Sequence, residues 1–333
     1  MTSKAASSFT SMQIEDSSDR MFKPIHQSSN ASSMPIQSLQ QVVSRSMEEV
    51  MESKSGSLPY GIETPIDEEL SVCTEDLFID MQERQVDFVS PAEYSTTATY
   101  LPYRRYLVDW MSDVGEQCRL HNSTVHVSIL MLDKIFRSNE IPRSHWQLLA
   151  TACISIAAKY EEAEEHCPPI PDLLQLTRLS QAGHTSLSFR DGEVECLKFL
   201  GWRLRAIPPI HFIGYFLAKG AIFQDDTWQD RNLIEKIPKY VKKYADFFCN
   251  LTLQEYSFQQ YLPSELAAAI LLASRVALQL QPRWRPELTT LTGQEESQII
   301  HIFNHLWGYY EEQFPGHGSR SISPRSADMG PSI

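Results

Sequence analysis

The stretch 148–162, LLATACISIAAKYEE, decides how this chain folds. Residues 148–158 are all small or apolar, which predicts a helix that neighbouring helices can surround on every side. The stretch then reaches Lys159, and four glutamates follow between 161 and 165. A lysine suits the negative end of a helix, whereas glutamates there have the wrong sign. The charged end of this helix therefore indicates a partner or a turn in addition to helix formation.

A second small-residue helix is predicted further along the chain. The sequences ACISIAAK at 152–159 and AAILLASR at 268–275 share their spacing of small and apolar residues, and each ends in a base. They lie 116 residues apart, about the length of one small domain. This repetition predicts two helical domains of similar plan, each built around a central helix.

The segments around these two stretches carry the helical period, and the alternation typical of strands is almost absent. Prolines lie at several helix starts or in the links before them, where a missing N–H costs little. The predicted fold class is therefore all-α. The predicted helices cover residues 74–88, 101–118, 123–137, 142–162, 169–180, 186–200, 208–220, 231–251, 263–280, 285–291 and 294–312.

Both ends of the chain lack a helical or strand pattern. Residues 1–70 are rich in serine and poor in aromatic residues, and the final stretch FPGHGSRSISPRSADMGPSI has a similar character. Such segments bury too little apolar surface to offset their ordering entropy. We therefore expect disordered tails at 1–70 and 313–333.

The composition restricts the class of protein. The 333 residues carry a net charge of −13, which argues against a general nucleic-acid binder because such a protein needs a basic face. The six cysteines form no CxxC pair, the first residues lack the apolar core of a signal peptide, and no apolar run is long enough to span a bilayer. We therefore expect a reduced, soluble, intracellular protein.

The segment 103–136, YRRYLVDWMSDVGEQCRLHNSTVHVSILMLDKIF, resembles the start of a cyclin box. Its most specific part is the pattern R-x-x-L-V-D-W at 104–110. AAKYEE at 157–162 and GEVECLKFLGWRL at 192–204 follow at the spacing of that family. The segment 239–284 resembles the second lobe of the cyclin-J subfamily in particular.

The resemblance covers about 74–312 and implies both a fold and an activity. The implied fold is a first lobe with a preceding helix over 71–205 and a second lobe over 206–312, each with five helices around a central one. The implied activity is that of a non-catalytic subunit, which binds and activates a cyclin-dependent Ser/Thr kinase by ordering its regulatory helix. The resemblance implies no cofactor, metal, nucleic acid or membrane partner, and a location in the nucleus, the cytoplasm or both.

The resemblance also assigns roles to charged residues. Lys159 and Glu193 match the pair with which the family grips the regulatory helix of the kinase, and Glu161 matches an acidic position that can contribute to the same interface. Arg104 and Asp109 match an internal ion pair that braces the cyclin box. The residues alone allow a simpler interpretation, in which Lys159 is a surface lysine favoured by the helix dipole and Glu193 is an exposed helix residue.

A substrate-docking patch is the third implied site. Its apolar members, at helical spacing, would be Tyr103, Tyr106, Leu107 and Trp110, and its polar rim would be Asp113 and Gln147. In the family this patch docks short basic-apolar motifs of substrates and inhibitors. The family usually has methionine at the first position and glutamate in place of Asp113. The alternative is that the stripe is simply the core-facing side of a helix.

Other functions remain open from the sequence. A cyclin-fold scaffold without kinase activation is one alternative, and a transcription-related protein of paired cyclin folds is another. An enzyme would need a different site: His301 and His305 have the i, i+4 spacing of a helical metal pair. They lack the glutamate of the H-E-x-x-H motif and an evident third ligand.

Overall fold

The structure, a computed structural model of the chain, describes residues 75–91, 100–138, 140–223, 225–228, 231–232 and 237–315. The predicted tail at 1–70 and most of the one at 313–333 lie outside these residues. Gln313 is the last residue of a helix, so the final helix extends one residue beyond its predicted end at 312.

Eleven α-helices form the described part of the chain, and the prediction of an all-α fold is confirmed. They are α1 (Glu75–Arg84), α2 (Leu101–Gln117), α3 (Asn122–Ser138), α4 (Trp146–Glu161), α5 (Ile170–Leu176), α6 (Ser186–Phe199), α7 (Pro209–Lys219), α8 (Ile237–Gln254), α9 (Pro263–Ala277), α10 (Pro286–Thr292) and α11 (Glu296–Gln313). Among these helices, none combines the length and apolar content needed to cross a membrane.

The helices enclose two hydrophobic cores. Helices α2–α6 form what we call the first lobe, and α7–α11 form the second lobe. In the first lobe α4 packs between α3 and α6, and in the second α9 packs among α7, α8 and α11. Residues 148–158 of α4 and 266–275 of α9 are all buried. The two small-residue stretches are therefore the central helices, as their composition predicts.

A small antiparallel sheet in the second lobe departs from the sequence prediction. Its middle strand β1 (Thr227–Trp228) pairs with β2 (Arg231–Asn232) on one side and with β3 (Leu280–Gln281) on the other. The predicted helix 231–251 is therefore wrong at its start, where β2 lies, and the predicted helix 263–280 is wrong at its end, where β3 begins. Strands of two residues are too short to show an alternating pattern, so they could not be recognised from the sequence.

Helix α1 precedes the first lobe in the chain but packs on the second. The Phe78 ring stacks on Tyr215 of α7 with centroids 5.0 Å apart, and Met81 is buried in the second core. Asp80 binds Arg205, in the segment between the lobes, at 2.6 Å. The helix thus fastens the second lobe to the link that leaves the first.

A polar contact, partly exposed to solvent, joins the two lobes directly. The Asn250 Oδ1 atom of α8 accepts a hydrogen bond from Asn122 Nδ2 at 3.0 Å and lies 2.9 Å from His126 Nε2, both on α3. His126 is only 1% exposed. Burial lowers its pKa to about 4, although the hydrogen bond to Asn250 opposes this shift. Burial also lowers the pKa of His211 to about 4, and the neighbouring His126 adds to the effect.

We expect the lobe junction to lose stability in mild acid because of His126. Its pKa is about 4 in the fold and about 6.5 in the unfolded chain, so stability is fully present above pH 6.5 and falls as the pH drops toward 4. Denaturant unfolding should show a loss of about 2–3 kcal/mol between pH 6.5 and pH 4.5 from this residue. His126→Gln, whose amide can still bind Asn250, should reduce the dependence of the unfolding free energy on pH. An equal slope in both proteins would contradict the assignment.

Candidate protein-binding site

The predicted charged pair meets at the surface of the first lobe. Lys159 lies in the last turn of α4 and Glu193 in the middle of α6, which packs beside it. The Lys159 ammonium donates a hydrogen bond to Glu193 Oε1 at 2.5 Å. The lysine side chain is 49% exposed and that of the glutamate 10% exposed. The pair therefore presents one accessible cation above a largely buried carboxylate.

Exposed apolar side chains lie on the elements that carry this pair. Tyr160 follows Lys159 and is 47% exposed, and Leu187 and Val194 are 70% and 43% exposed on α6. Trp202 is 67% exposed in the turn after α6, where its backbone is left-handed. Leu187 and Val194 are seven residues apart, so they lie on the same face of α6 and leave an exposed apolar pair there. Sequence reasoning missed these four residues, although the seven-residue spacing of Leu187 and Val194 was an available signal.

Glu161 has other neighbours than the Lys159–Glu193 pair. Its side chain lines a cavity of about 510 Å³ between the lobes and α1, and its Oε2 atom is 3.9 Å from His211 Nε2 of α7. Burial raises the pKa of this carboxyl, and the nearby Arg205 opposes that shift. Tyr160 also lines the cavity, so the cavity opens close to the charged pair. A contribution of Glu161 to partner binding stays a prediction.

The predicted ion pair between Arg104 and Asp109 is wrong. Arg104 is 1% exposed and instead binds both carboxylate oxygens of Asp133 on α3, each at 2.8 Å. Its remaining nitrogen donates to the carbonyl of Leu253 at 2.8 Å, near the end of α8. Asp109 accepts a hydrogen bond from Gln254 Nε2 at 3.1 Å. Arg104 therefore braces the first lobe through Asp133 and not through Asp109, and it also ties that lobe to the second.

The apolar members of the predicted docking patch divide between core and surface. Leu107 and Trp110 are 0% and 4% exposed and belong to the first core, whereas Tyr106 is 66% exposed. The ring of Tyr103 is partly buried, and the guanidinium of Arg143 lies 3.8 Å from its centroid. The core interpretation therefore holds for Leu107 and Trp110.

One residue of the polar rim of that patch is hydrogen-bonded within the protein. Gln147 Nε2 donates to the Thr177 carbonyl at 2.7 Å. Burial raises the pKa of Asp113, and the neighbouring carboxylates of Asp109 and Glu116 raise it further. These three acids follow one another along α2 and make this part of the helix acidic, which suits a basic ligand.

The ring nitrogens of His305, one of the two histidines of α11, have partners other than a metal. His305 lies between two hydroxyls, with Tyr261 Oη 3.0 Å from Nδ1 and Ser257 Oγ 3.3 Å from Nε2, and it stacks on Phe258. Both ring nitrogens thus have partners within the protein. In the part of the chain that the structure describes, no three side chains of metal-ligating type come together.

Comparison with protein families matches two domain models to the chain. The model for "Cyclin, N-terminal domain" matches residues 76–205, and the model for "Cyclin, C-terminal domain" matches residues 208–322. Together they cover most of the chain and both lobes.

Among similar proteins, Cyclin-J of Xenopus laevis is 30% identical over 203 residues, which are 60% of this chain and 53% of that protein. A Cyclin-J-like protein of Mus musculus is 31% identical over 201 residues, which are 58% of this chain and 51% of that protein. The chain thus spans about half the length of the curated relatives it matches. The structure of a viral cyclin from herpesvirus saimiri shares the fold, with a TM-score of 0.53 and 18% identity over 72% of this chain and 97% of the viral chain. The chain belongs to the cyclin family and is similar to cyclin-J.

Proposed function

We propose that this chain is a regulatory subunit that binds and activates a cyclin-dependent Ser/Thr kinase and does no chemistry of its own. The observation that carries the proposal is the Lys159–Glu193 pair, together with the exposed side chains of Tyr160 and Val194, which are adjacent to it along the chain, and of Trp202 in the turn after α6. Membership of the cyclin family supports it independently.

The surface suits a helix of the partner. Apolar contact with Tyr160, Val194 and Trp202 would supply binding energy, and the charged pair would fix orientation. The Lys159 ammonium can donate to backbone carbonyls of the docked helix, and the Glu193 carboxylate can accept from its N–H groups. Seating the regulatory helix would align the kinase's own Lys–Glu pair, so binding shifts the kinase toward its active arrangement.

Two alternatives keep the same fold. A scaffold would use the same surface to bind a kinase without activating it. A transcription-related protein would need a basic face for nucleic acid, and the net charge of −13 argues against that reading.

A substrate-docking patch around Tyr106 is the second part of the proposal. Tyr106 offers an exposed ring, and Asp109, Asp113 and Glu116 place negative charge along the same helix. Short motifs with a basic residue beside an apolar one would complement this combination. Tyr103 and Gln147 would form its edges.

We expect Lys159→Ala combined with Glu193→Ala to abolish kinase binding. The free energy of binding should weaken by about 2–5 kcal/mol, because polar groups of the docked helix would be left unpaired in a desolvated interface. The measurement is a pull-down from cell extract with tagged protein, followed by mass spectrometry and a histone-kinase assay on the eluate.

Glu195→Ala combined with Lys198→Ala is the matched control, since it removes one acid and one base that are exposed elsewhere on α6. This control should keep both partner and activity, and thermal melting should show that both variants fold. If wild type recovers a kinase without activity, the scaffold alternative is favoured. If the Lys159/Glu193 variant recovers the same active kinase as wild type, the anchor assignment is wrong.

A further inference from the structure

Glu162 is the residue at which α4 meets the start of α3. Its side chain is 0% exposed. The Oε1 atom accepts hydrogen bonds from the backbone N–H of His121 at 2.7 Å and from Thr124 Oγ1 at 2.6 Å. The Oε2 atom lies 2.6 Å from His121 Nδ1. One carboxylate therefore has three partners at the first turn of a neighbouring helix.

This arrangement accounts for an acidic residue at the wrong end of α4. The negative charge of Glu162 lies beside the N-terminus of α3, where the exposed N–H groups favour an anion. Burial by itself would raise the pKa of this carboxyl, but the hydrogen bonds from Thr124 and His121 outweigh it and hold the pKa below its usual value. Glu162 is therefore ionised at neutral pH and stabilises the beginning of α3.

The same residue fixes the last turn of α4. Glu162 is the C-cap of α4, with an extended backbone, and its N–H donates to the Ala158 carbonyl at 2.9 Å. Lys159 lies inside the turn that this bond closes. Helix ends fray unless their terminal groups have partners, and here the side chain of the capping residue is itself held by α3.

We propose that Glu162 is a positioning residue for Lys159, holding the last turn of α4 so that the ammonium stays at Glu193 and ready for the partner. The inference rests on the proposed function for its consequence in binding, but its structural part can be measured on the protein alone. By contrast, Glu164 and Glu165 belong to the same acidic run, are exposed and lie in the following 3₁₀ turn. They provide controls with the same change of charge.

The first test measures the reactivity of Lys159 in the full chain without any partner. Competitive acetylation of surface lysines, read by mass spectrometry, should show Lys159 reacting several-fold faster in Glu162→Gln than in wild type. Lys198 and Lys219 serve as internal references and should not change. Glu164→Gln should leave Lys159 at its wild-type rate. Thr124→Val removes only one hydrogen bond to Glu162 and should give a smaller increase in the reactivity of Lys159. It replaces Glu162→Gln as the test variant if that protein folds poorly.

The second test is a double-mutant cycle on binding to a purified cyclin-dependent kinase recovered with the wild-type chain. Glu162→Gln should weaken binding at a temperature where it is folded, and the loss should vanish when Lys159 is already alanine. Unchanged Lys159 reactivity, or an equal loss of affinity in both backgrounds, would overturn the positioning role. If wild type binds no kinase while Lys159 reactivity still rises in Glu162→Gln, the proposed function fails and the positioning role stands.

Discussion

Arg104→Ala is expected to lower the free energy of unfolding by about 3–5 kcal/mol. The guanidinium is buried and makes two 2.8 Å hydrogen bonds to the carboxylate of Asp133, which is itself only 4% exposed. Alanine would leave that charge without its ion partner, with Tyr100 as a remaining hydrogen-bond donor. The Leu253 carbonyl at the end of α8 would also lose its donor. Because α8 belongs to the second lobe, the damage should reach both lobes.

Chemical denaturation followed by far-UV circular dichroism measures this loss, with Asp109→Ala as the control. Asp109 is a charged residue of the same helix, but it is exposed and accepts a hydrogen bond only from Gln254, so its removal should cost less than about 1 kcal/mol. Arg104→Lys should fall between them, because lysine keeps the charge and loses the planar fork that matches a carboxylate. Equal losses from Arg104→Ala and Asp109→Ala would contradict the pairing with Asp133.

The central helices could be predicted because their signal is local. The run 148–158 is small and apolar throughout, and a helix of that composition has to be surrounded by others. The run 266–275 carries the same information for the second lobe. The resemblance to the cyclin family could be recognised from the pattern at 104–110 and from the spacing of the later motifs. Each of these motifs lies within one segment of the chain, and their spacing can be counted directly from the sequence.

The partners of charged residues could not be predicted in the same way. Arg104 and Asp109 are five residues apart, and at about 100° per residue a helix turns them to different sides. That geometry was available from the sequence and argued against their pairing. Asp133, by contrast, becomes the partner of Arg104 only when α2 packs against α3. Glu162 likewise finds its partners on another helix, so its role as a cap needed the tertiary structure.

Arg275→Ala is expected to destabilise the second lobe by about 3–5 kcal/mol. Arg275 occupies the same place at the end of the second small-residue stretch as Lys159 does at the end of the first, but it has a structural role. Arg275 is 0% exposed, and all five of its N–H donors have acceptors. Two bind Asp226 at 2.8 and 2.9 Å, and the other three bind the carbonyls of Ala221, Pro282 and Arg283. Alanine would leave a buried carboxylate and three carbonyls with fewer partners, and Arg285, 3.2 Å from Asp226, would compensate only in part.

Lys159→Ala is the matched comparison, because it removes the base at the corresponding place in the first lobe. The Lys159 side chain is half exposed, so solvent screens its pairing with Glu193 and the free energy of unfolding should change by less than about 1 kcal/mol. The two variants should therefore lose different properties. Arg275→Ala should lose stability, and Lys159→Ala should lose kinase binding. A large loss of stability from Lys159→Ala would mean that both bases are structural and would remove the main support for the partner site. A small loss from Arg275→Ala would instead contradict the buried network around Asp226.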